Sequence, residues 1–168
     1  MILAPVRGDV PICQTFWANP QTYKQFWLEG HNWEDLSIPI WTDLFAPIDW
    51  VCEVVEHTKG FGKHVRITWF AFNKKGDRRV ILLAHFDNIT VKDKQEVKAW
   101  DRLGQSGNTG YSFMNGEEYP NGGGFPHLHW QMRVINKKGE VKDYDNWYKG
   151  SLDIFQKGWI AKNEPSIY

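Results

Sequence analysis

The chain has 168 residues, 20 basic and 20 acidic side chains and a formal net charge of zero. That length suits one domain with a real core, 1–168, and the interspersed charges leave no basic stripe for phosphate contacts, so no nucleic acid is expected as a partner. No apolar run approaches the roughly 18 residues of a membrane span.

Residues 1 to 8 lack the basic and apolar regions of a signal peptide, so an export route would have to be a different one. Cys13 and Cys52 sit in apolar, strand-like contexts and read as buried thiols rather than a disulfide or metal pair. Residues 9 to 17 read as a strand. Asn19-Pro20 pairs an N-cap residue with a Pro at the first helical position, predicting one short helical turn within Asn19 to Leu28. Short apolar runs follow at 36–40, 44–48 and 51–55. Residues 63–72 alternate, with Val65, Ile67, Trp69 and Ala71 on one side. Asn73 to Asp77 is a hairpin loop with Gly76 at the left-handed position, and Val80 to Phe86 is the return strand. Gly104 to Gly110 is turn-rich but lacks the Lys-Ser/Thr ending of a phosphate loop. Residues 111–125 form a long polar, glycine-rich loop. Asn136 to Glu140 repeats the earlier hairpin pattern. Short strands separated by turns, with few short helical turns, predict an all-β antiparallel sandwich or related fold.

The stretch from Pro126 to Val134 alternates strictly. Leu128, Trp130, Met132 and Val134 fall on one face; His127, His129, Gln131 and Arg133 fall on the other. Two imidazoles two residues apart suit a metal site in which one ligates and its neighbour moves protons. A partly exposed polar face would read the same way. His31 and Asp35 stand four apart, although Trp33 and Pro39 argue against a regular helix there. With His129 they supply two imidazoles and a carboxylate, the donor set of a catalytic zinc that keeps its fourth position for water. His85 and His127 would remain to move protons and stabilise an oxyanion.

Gly30-His31-x-x-x-Asp35, Leu83-Ala84-His85, Gly104 to Gly110 and His127-Leu128-His129 come in the order and spacing of the lysostaphin/LytM-type zinc metalloendopeptidases, which the chain resembles over residues 10 to 135. Residues 136–168 then form a C-terminal extension. The resemblance implies a LytM-like antiparallel β peptidase domain of the duplicated hybrid motif fold, with a groove and one Zn2+. It implies hydrolysis of peptide bonds in bacterial cell-wall peptidoglycan; separately, a monomer is expected. His31, Asp35 and His129 match the zinc ligands, His127 the general base and His85 the second catalytic histidine. Residues 111–125 would form a groove wall, and Asn32 is a candidate groove residue. His57 and His64 match nothing and are expected on the surface or in hairpins. Glu34 and Asp87 are expected to be solvated.

The family pattern has Gly where this chain has Trp33, Trp41, Trp50 and Trp100, and Trp17 fits the same description, with Trp27 and Trp147 as further candidates. Asp49-Trp50 stands where Asp-Gly would make a tight hairpin turn. A residue with a Cβ at a left-handed position costs on the order of 1–2 kcal/mol, so four or five such sites would total roughly 5–10 kcal/mol. The expectation is a codon that the source reads as Gly and the standard table reads as Trp. Real tryptophans at negative φ, or aromatic groove walls, are the alternative. For function, the leading expectation is a zinc endopeptidase of peptidoglycan, of phage-lysin type, made in the cytoplasm and acting at the cell wall. A catalytically silent cell-wall-binding domain on the same fold and a non-peptidase zinc hydrolase are the competitors.

Overall fold

The structure is a computed structural model that describes residues 3–8, 10–14, 18, 20–24, 30–69, 76–114, 117–120 and 125–144. Its elements are β1 (Ile12–Gln14), α1 (Pro20–Tyr23), β2 (Glu34–Leu36), β3 (Asp43–Phe45), β4 (Trp50–Val55), β5 (His64–Trp69) and β6 (Arg78–Ala84). There follow β7 (Phe86–Ile89), β8 (Glu96–Val97), β9 (Arg102–Ser106), β10 (Tyr111–Met114), β11 (Glu117–Pro120), β12 (Leu128–Ile135) and β13 (Val141–Tyr144). Among the described residues the fold is all-β and antiparallel, with one short helical turn where Asn19-Pro20 predicts it. The main sheet runs β1-β2-β12-β6-β5-β4-β8, with β13 also on β12; β3-β9-β7 and β10-β11 are separate small sheets.

The strand from Leu128 is central, and its apolar face is where alternation puts it. Leu128, Trp130 and Met132 join Val65, Ile67, Ile81, Leu83, Cys52 and Phe86 in one core. The other face departs from expectation. His129 and Gln131 are buried too, so this stretch of β12 is covered on both sides rather than half exposed. The same holds for β6, where Val80, Leu82 and Ala84 are buried opposite Ile81 and Leu83. Period-two alternation identifies the core face, but it does not report whether the polar face meets water or protein.

Val80 to Phe86 reads in sequence as one strand, yet the chain breaks at His85, whose φ is 65°. An αL residue cannot continue a β ladder. The chain therefore leaves the main sheet at His85 and enters the small sheet as β7. Gly104 to Gly110 begins as strand rather than turn: β9 runs through Ser106, pairing with both β3 and β7. Gly104 is needed there because a Cβ would strike the Asn88 carbonyl. Part of the expected 111–125 loop is a hairpin, with Tyr111 opposite Pro120 and Met114 opposite Glu117; residues 115–116 and 121–124 lie outside the described residues.

The Gly139 loop is as predicted: φ is 86°, and Asn136 Oδ1 accepts from the Lys138 and Glu140 amides at 2.9 and 3.0 Å. Gly76 also has positive φ, 78°, while residues 73–75 lie outside the described set. Of the predicted strand 9–17, residues 12–14 are β1. Both cysteines are free thiols; Cys52 is buried, but Cys13 is exposed, because it stands on β1 at the end of the main sheet's strand order. Residues 136–144 of the C-terminal extension complete a hairpin on β12.

The tryptophans divide. Trp41 and Trp100 have φ of 66° and 71°, as residues standing in for Gly would; Trp33 and Trp50 do not. Trp50 is no turn residue. It opens β4 and pairs with Val97, while the Asp49 carboxylate caps the Ala99 amide at 2.8 Å. Trp17, Trp27 and Trp147 lie outside the described residues.

Candidate metal and catalytic site

Strand register builds the site. β2 pairs with β12 so that Asp35 lies directly opposite His129. Directly opposed residues on antiparallel strands have Cβ atoms about 4.5–5.5 Å apart on one side of the sheet, so an aspartate and an imidazole from distant sequence meet. His129 Nδ1 lies 3.5 Å from Asp35 Oδ1. His31 precedes β2 in an irregular segment, not on a helix, and its Nε2 reaches Asp35 Oδ2 at 3.1 Å. Its amide donates to the Ala18 carbonyl at 3.0 Å, which fixes the entry of this segment. His127, two residues before His129, projects to the same side and puts Nε2 3.7 Å from Asp35 Oδ1. His85 arrives from the β6–β7 corner, its ring centroid 4.7 Å from His127 and 5.8 Å from His129. The four histidines singled out in the sequence therefore gather around the Asp35 carboxylate, and all five residues are buried.

Hydrogen bonds fix two of the tautomers. His127 Nδ1 lies 2.7 Å from the Phe125 carbonyl and His85 Nδ1 lies 2.7 Å from the Thr109 carbonyl. A carbonyl only accepts, so each Nδ1 carries the proton and each neutral ring keeps Nε2 as its acceptor. Thr109 is itself clamped. Its hydroxyl donates to the Phe86 carbonyl at 2.7 Å and accepts from the Lys63 amide at 3.0 Å. Behind it, Gly62 and Gly110 approach so closely that a Cβ on Gly62 would strike the Thr109 carbonyl group. The His85 amide and carbonyl are also held, by the Phe61 carbonyl at 3.1 Å and the Gly107 amide at 2.8 Å.

Electrostatics follow from this packing. Burial alone would raise the Asp35 pKa, but the charge of His127 and the close approach of His129 and His31 outweigh it and hold the carboxyl well below its usual range. Burial lowers His129 to about 4 against the pull of Asp35. Burial, with His127 and His129 adding to it, lowers His85 to about 3. The result is an ionised carboxylate among imidazoles, two of which burial keeps neutral. That is the donor chemistry a divalent cation requires.

Among the described residues no group of three or more His, Cys, Asp and Glu side chains already forms a metal cage. The spacing nonetheless fits an ion. Nitrogen and oxygen donors at about 2.0–2.2 Å in a tetrahedron stand about 3.3–3.5 Å apart, and the His31–Asp35 and His129–Asp35 contacts are 3.1 and 3.5 Å. The two histidines approach different carboxylate oxygens, so closing on an ion requires a small rotation of Asp35. Asp35 Oδ1 and His129 Nε2 are buried without a hydrogen-bond partner, the first of them an acceptor a cation would satisfy.

Several surroundings were not anticipated. Trp33 stacks beside both His31 and His129, 4.5 Å from each ring centroid. Tyr23 packs on His31 at 5.3 Å and Phe61 on His129 at 4.9 Å. Asn32 is buried and contributes its carbonyl, accepting from Gln131 Nε2 at 3.4 Å. Glu34 is buried rather than solvated, since β2 lies inside the main sheet between β1 and β12. His64 is buried, not a surface histidine; its Nδ1 pairs with the Gly62 carbonyl at 2.9 Å, and burial lowers it to about 4. His57 and Asp87 are exposed, as expected.

The model of peptidase family M23 matches residues 29–143. Among solved structures, the catalytic domain of the prophage-encoded M23 protein EnpA from Enterococcus faecalis, in a point-mutant form, is similar at a TM-score of 0.60 and 22% identity. The match covers 84% of this chain and 94% of that one. Lysostaphin from Staphylococcus simulans matches at a TM-score of 0.61 and 19% identity, over 99% of this chain and 61% of that one. A zinc-containing peptidase from Vibrio cholerae matches at 0.55 and 23%, over 85% and 39%. The chain thus spans less than two thirds of the last two. At these identities the likeness is one of fold. No curated protein matches the chain.

Proposed function

The chain belongs to peptidase family M23, and from that premise we propose that it is a zinc-dependent endopeptidase hydrolysing peptide crosslinks of bacterial peptidoglycan. The observation that carries this reading is the convergence of His31, His127 and His129 on the buried Asp35 carboxylate, with His85 beside them. His31, Asp35 and His129 would hold the zinc, which when bound would lower the pKa of a water to about 7 and polarise the scissile carbonyl. His127, with its Nδ1–H on the Phe125 carbonyl, offers Nε2 to take a proton from the attacking water. His85 is a second acceptor at rest. Once protonated at Nε2 it becomes a donor, the state needed to stabilise an oxyanion or return a proton to the leaving amine. Because one chain supplies all five groups, a monomer suffices. The prophage origin of EnpA supports a phage-type lysin acting at the cell wall.

The test is purified protein on labelled peptidoglycan, with and without a chelator. Soluble labelled fragments should appear, stop on chelation and return when zinc is restored. Retention on the sacculus without release under any metal condition would instead make the chain a silent binding domain.

A further inference from the structure

Two imidazoles of the site are tied to carbonyls through Nδ1: His127 to Phe125 and His85 to Thr109, both at 2.7 Å. His129 differs. Its Nδ1 faces Asp35 Oδ1 at 3.5 Å, while its Nε2 is buried with no hydrogen-bond partner among the described residues. A metal-ligating histidine ordinarily donates its second N–H to an acceptor, and that bond fixes both tautomer and ring orientation. With Nδ1 turned toward Asp35 as the ligating nitrogen, the proton of neutral His129 sits on Nε2, which has no such acceptor. Packing holds this ring instead. Trp33 lies against it at 4.5 Å and Phe61 at 4.9 Å, tilted by 44° and 59°.

The two aromatic neighbours are not equivalent. Trp33 also touches His31 at 4.5 Å, so it is shared between both ligating imidazoles. Phe61 touches His129 and, at 5.8 Å, His64, which is not one of the five site residues. The Arg133 guanidinium lies 4.9 Å over the Phe61 ring, a cation–π contact. Arg133 Nε donates to Gln131 Oε1 at 2.6 Å, and Gln131 Nε2 donates to the Asn32 carbonyl at 3.4 Å. The contacts thus run from the residue after His31, through Gln131 and Arg133, onto Phe61 and so to His129. The Phe61 backbone carbonyl accepts from the His85 amide at 3.1 Å. Because that bond belongs to the main chain, a substitution at 61 takes the ring from His129 without removing the support of His85.

We propose that Phe61, clamped by Arg133, is the positioning residue of His129, its ring standing in for the hydrogen bond that this ligand lacks. The proposal rests on the zinc reading above and adds a residue from outside the five to the metal site. An imidazole held by packing gains freedom to swing when a packing partner is removed. Partners that orient a metal ligand are worth about 10–100-fold in metal affinity.

Zinc affinity by chelator competition and the visible spectrum of the Co2+-substituted protein test this, since both read the ligands without any substrate. Phe61→Leu should weaken zinc about tenfold or more and shift the Co2+ bands, with a cooperative melting transition of the metal-free protein certifying the fold. Phe61→Tyr keeps the ring and should restore both. Arg133→Met removes the clamp but not the ring and should fall between. At saturating zinc, Phe61→Leu should lower kcat for a soluble crosslinked peptide and leave KM unchanged. Zinc affinity and Co2+ bands like the parent's in Phe61→Leu overturn the proposal; should that variant fail to fold, the same result in Arg133→Met does so. Weakened zinc in Phe61→Leu, with no cleavage even by the zinc-loaded parent, supports the positioning role and removes the hydrolase. A parent that binds no zinc removes both.

Discussion

His85 and Trp41 have nearly the same backbone, φ of 65° and 66°, and Trp100 is close at 71°. Each carries a Cβ where glycine would be unstrained, at a cost on the order of 1–2 kcal/mol. Around His85 that cost has a structural return. Its amide, its carbonyl and its ring Nδ1 are all hydrogen-bonded, and the ring stands over His127. The left-handed turn is what carries the chain out of the main sheet at the point where an imidazole is wanted. Trp41 shows the same backbone without the return. Its amide and carbonyl are bonded to Ser106 and Gln105, which glycine would do equally well, while its indole is 64% exposed. A strained position signals function only when the side chain that creates the strain is also used.

The largest effects should come from the histidine region. His31→Ala, Asp35→Ala and His129→Ala should each abolish stoichiometric zinc, measured by metal analysis of purified protein, and with it activity. Full metal content in all three variants would mean that other residues are the ligands. His127→Ala and His85→Ala should keep the metal and lose about 10²–10⁴-fold in turnover. His85→Gly sharpens the contrast with Trp41. The strain it relieves should offset only part of the cost of emptying a buried ring's place, so activity collapses and the melting temperature falls, whereas Trp41→Gly should raise it.

Thr109 comes next. Thr109→Val removes the hydroxyl bonds to the Phe86 carbonyl and Lys63 amide that fix the carbonyl holding His85. A loss of about tenfold in kcat, with metal content and KM unchanged, is expected from a loosened His85, and Thr109→Ser should restore it. An unchanged pH–rate profile and kcat in Thr109→Val would reduce the clamp to packing.

Stability should also depend on pH in the metal-free protein. The depressed pKa values of His85, His129 and His64, about 3, 4 and 4, all arise first from burial. Groups lowered on folding from an unfolded value of about 6.5 stabilise the native state above that value. They cease to do so as pH falls toward 4, because the unfolded chain binds more protons. Melting temperature should therefore drop between pH 6.5 and 4. His64 lies outside the five site residues, so His64→Phe should flatten part of that slope without touching zinc content.

Local chemistry was readable in the residues; its surroundings were not. The alternation around His129 gave the core face, and Gly76 and Gly139 marked their loops, because these depend on neighbouring residues only. The pairing of Asp35 with His129 is a register between strands more than ninety residues apart, so the sequence could supply both partners but not their contact. The unbroken apolar run Val80 to Phe86 concealed the corner at His85, since nothing in composition distinguishes a buried strand from a buried strand that turns. The burial of Glu34, His64 and Gln131 was likewise invisible, because alternation does not state what covers the polar side.

The smallest expected effects concern the tryptophans, and they split four residues that look alike in sequence. Trp41→Gly should remove about 1–2 kcal/mol of strain, less about 0.5–1 kcal/mol for glycine's greater freedom in the unfolded chain. For a chain of this size, a net gain near 1 kcal/mol is a rise of about 2–4 °C in Tm. Trp100→Gly should be near neutral, because its ring packs on Phe45 at 5.2 Å and under Arg7, contacts that offset the strain. Trp50→Gly should lower stability, since Trp50 is a strand residue at negative φ, and Trp33→Gly should lower it further by stripping the rings of His31 and His129. Trp130→Gly is the control and should cost at least about 3–5 kcal/mol from the core. A reassigned codon predicts something this pattern alone does not: protein from the natural source should carry Gly at 33, 41, 50 and 100 alike, visible as peptide masses and as UGA in the gene. Tryptophan masses and UGG at those four positions would end the coding explanation, and would leave Trp41 as a real side chain held in a conformation it does not favour.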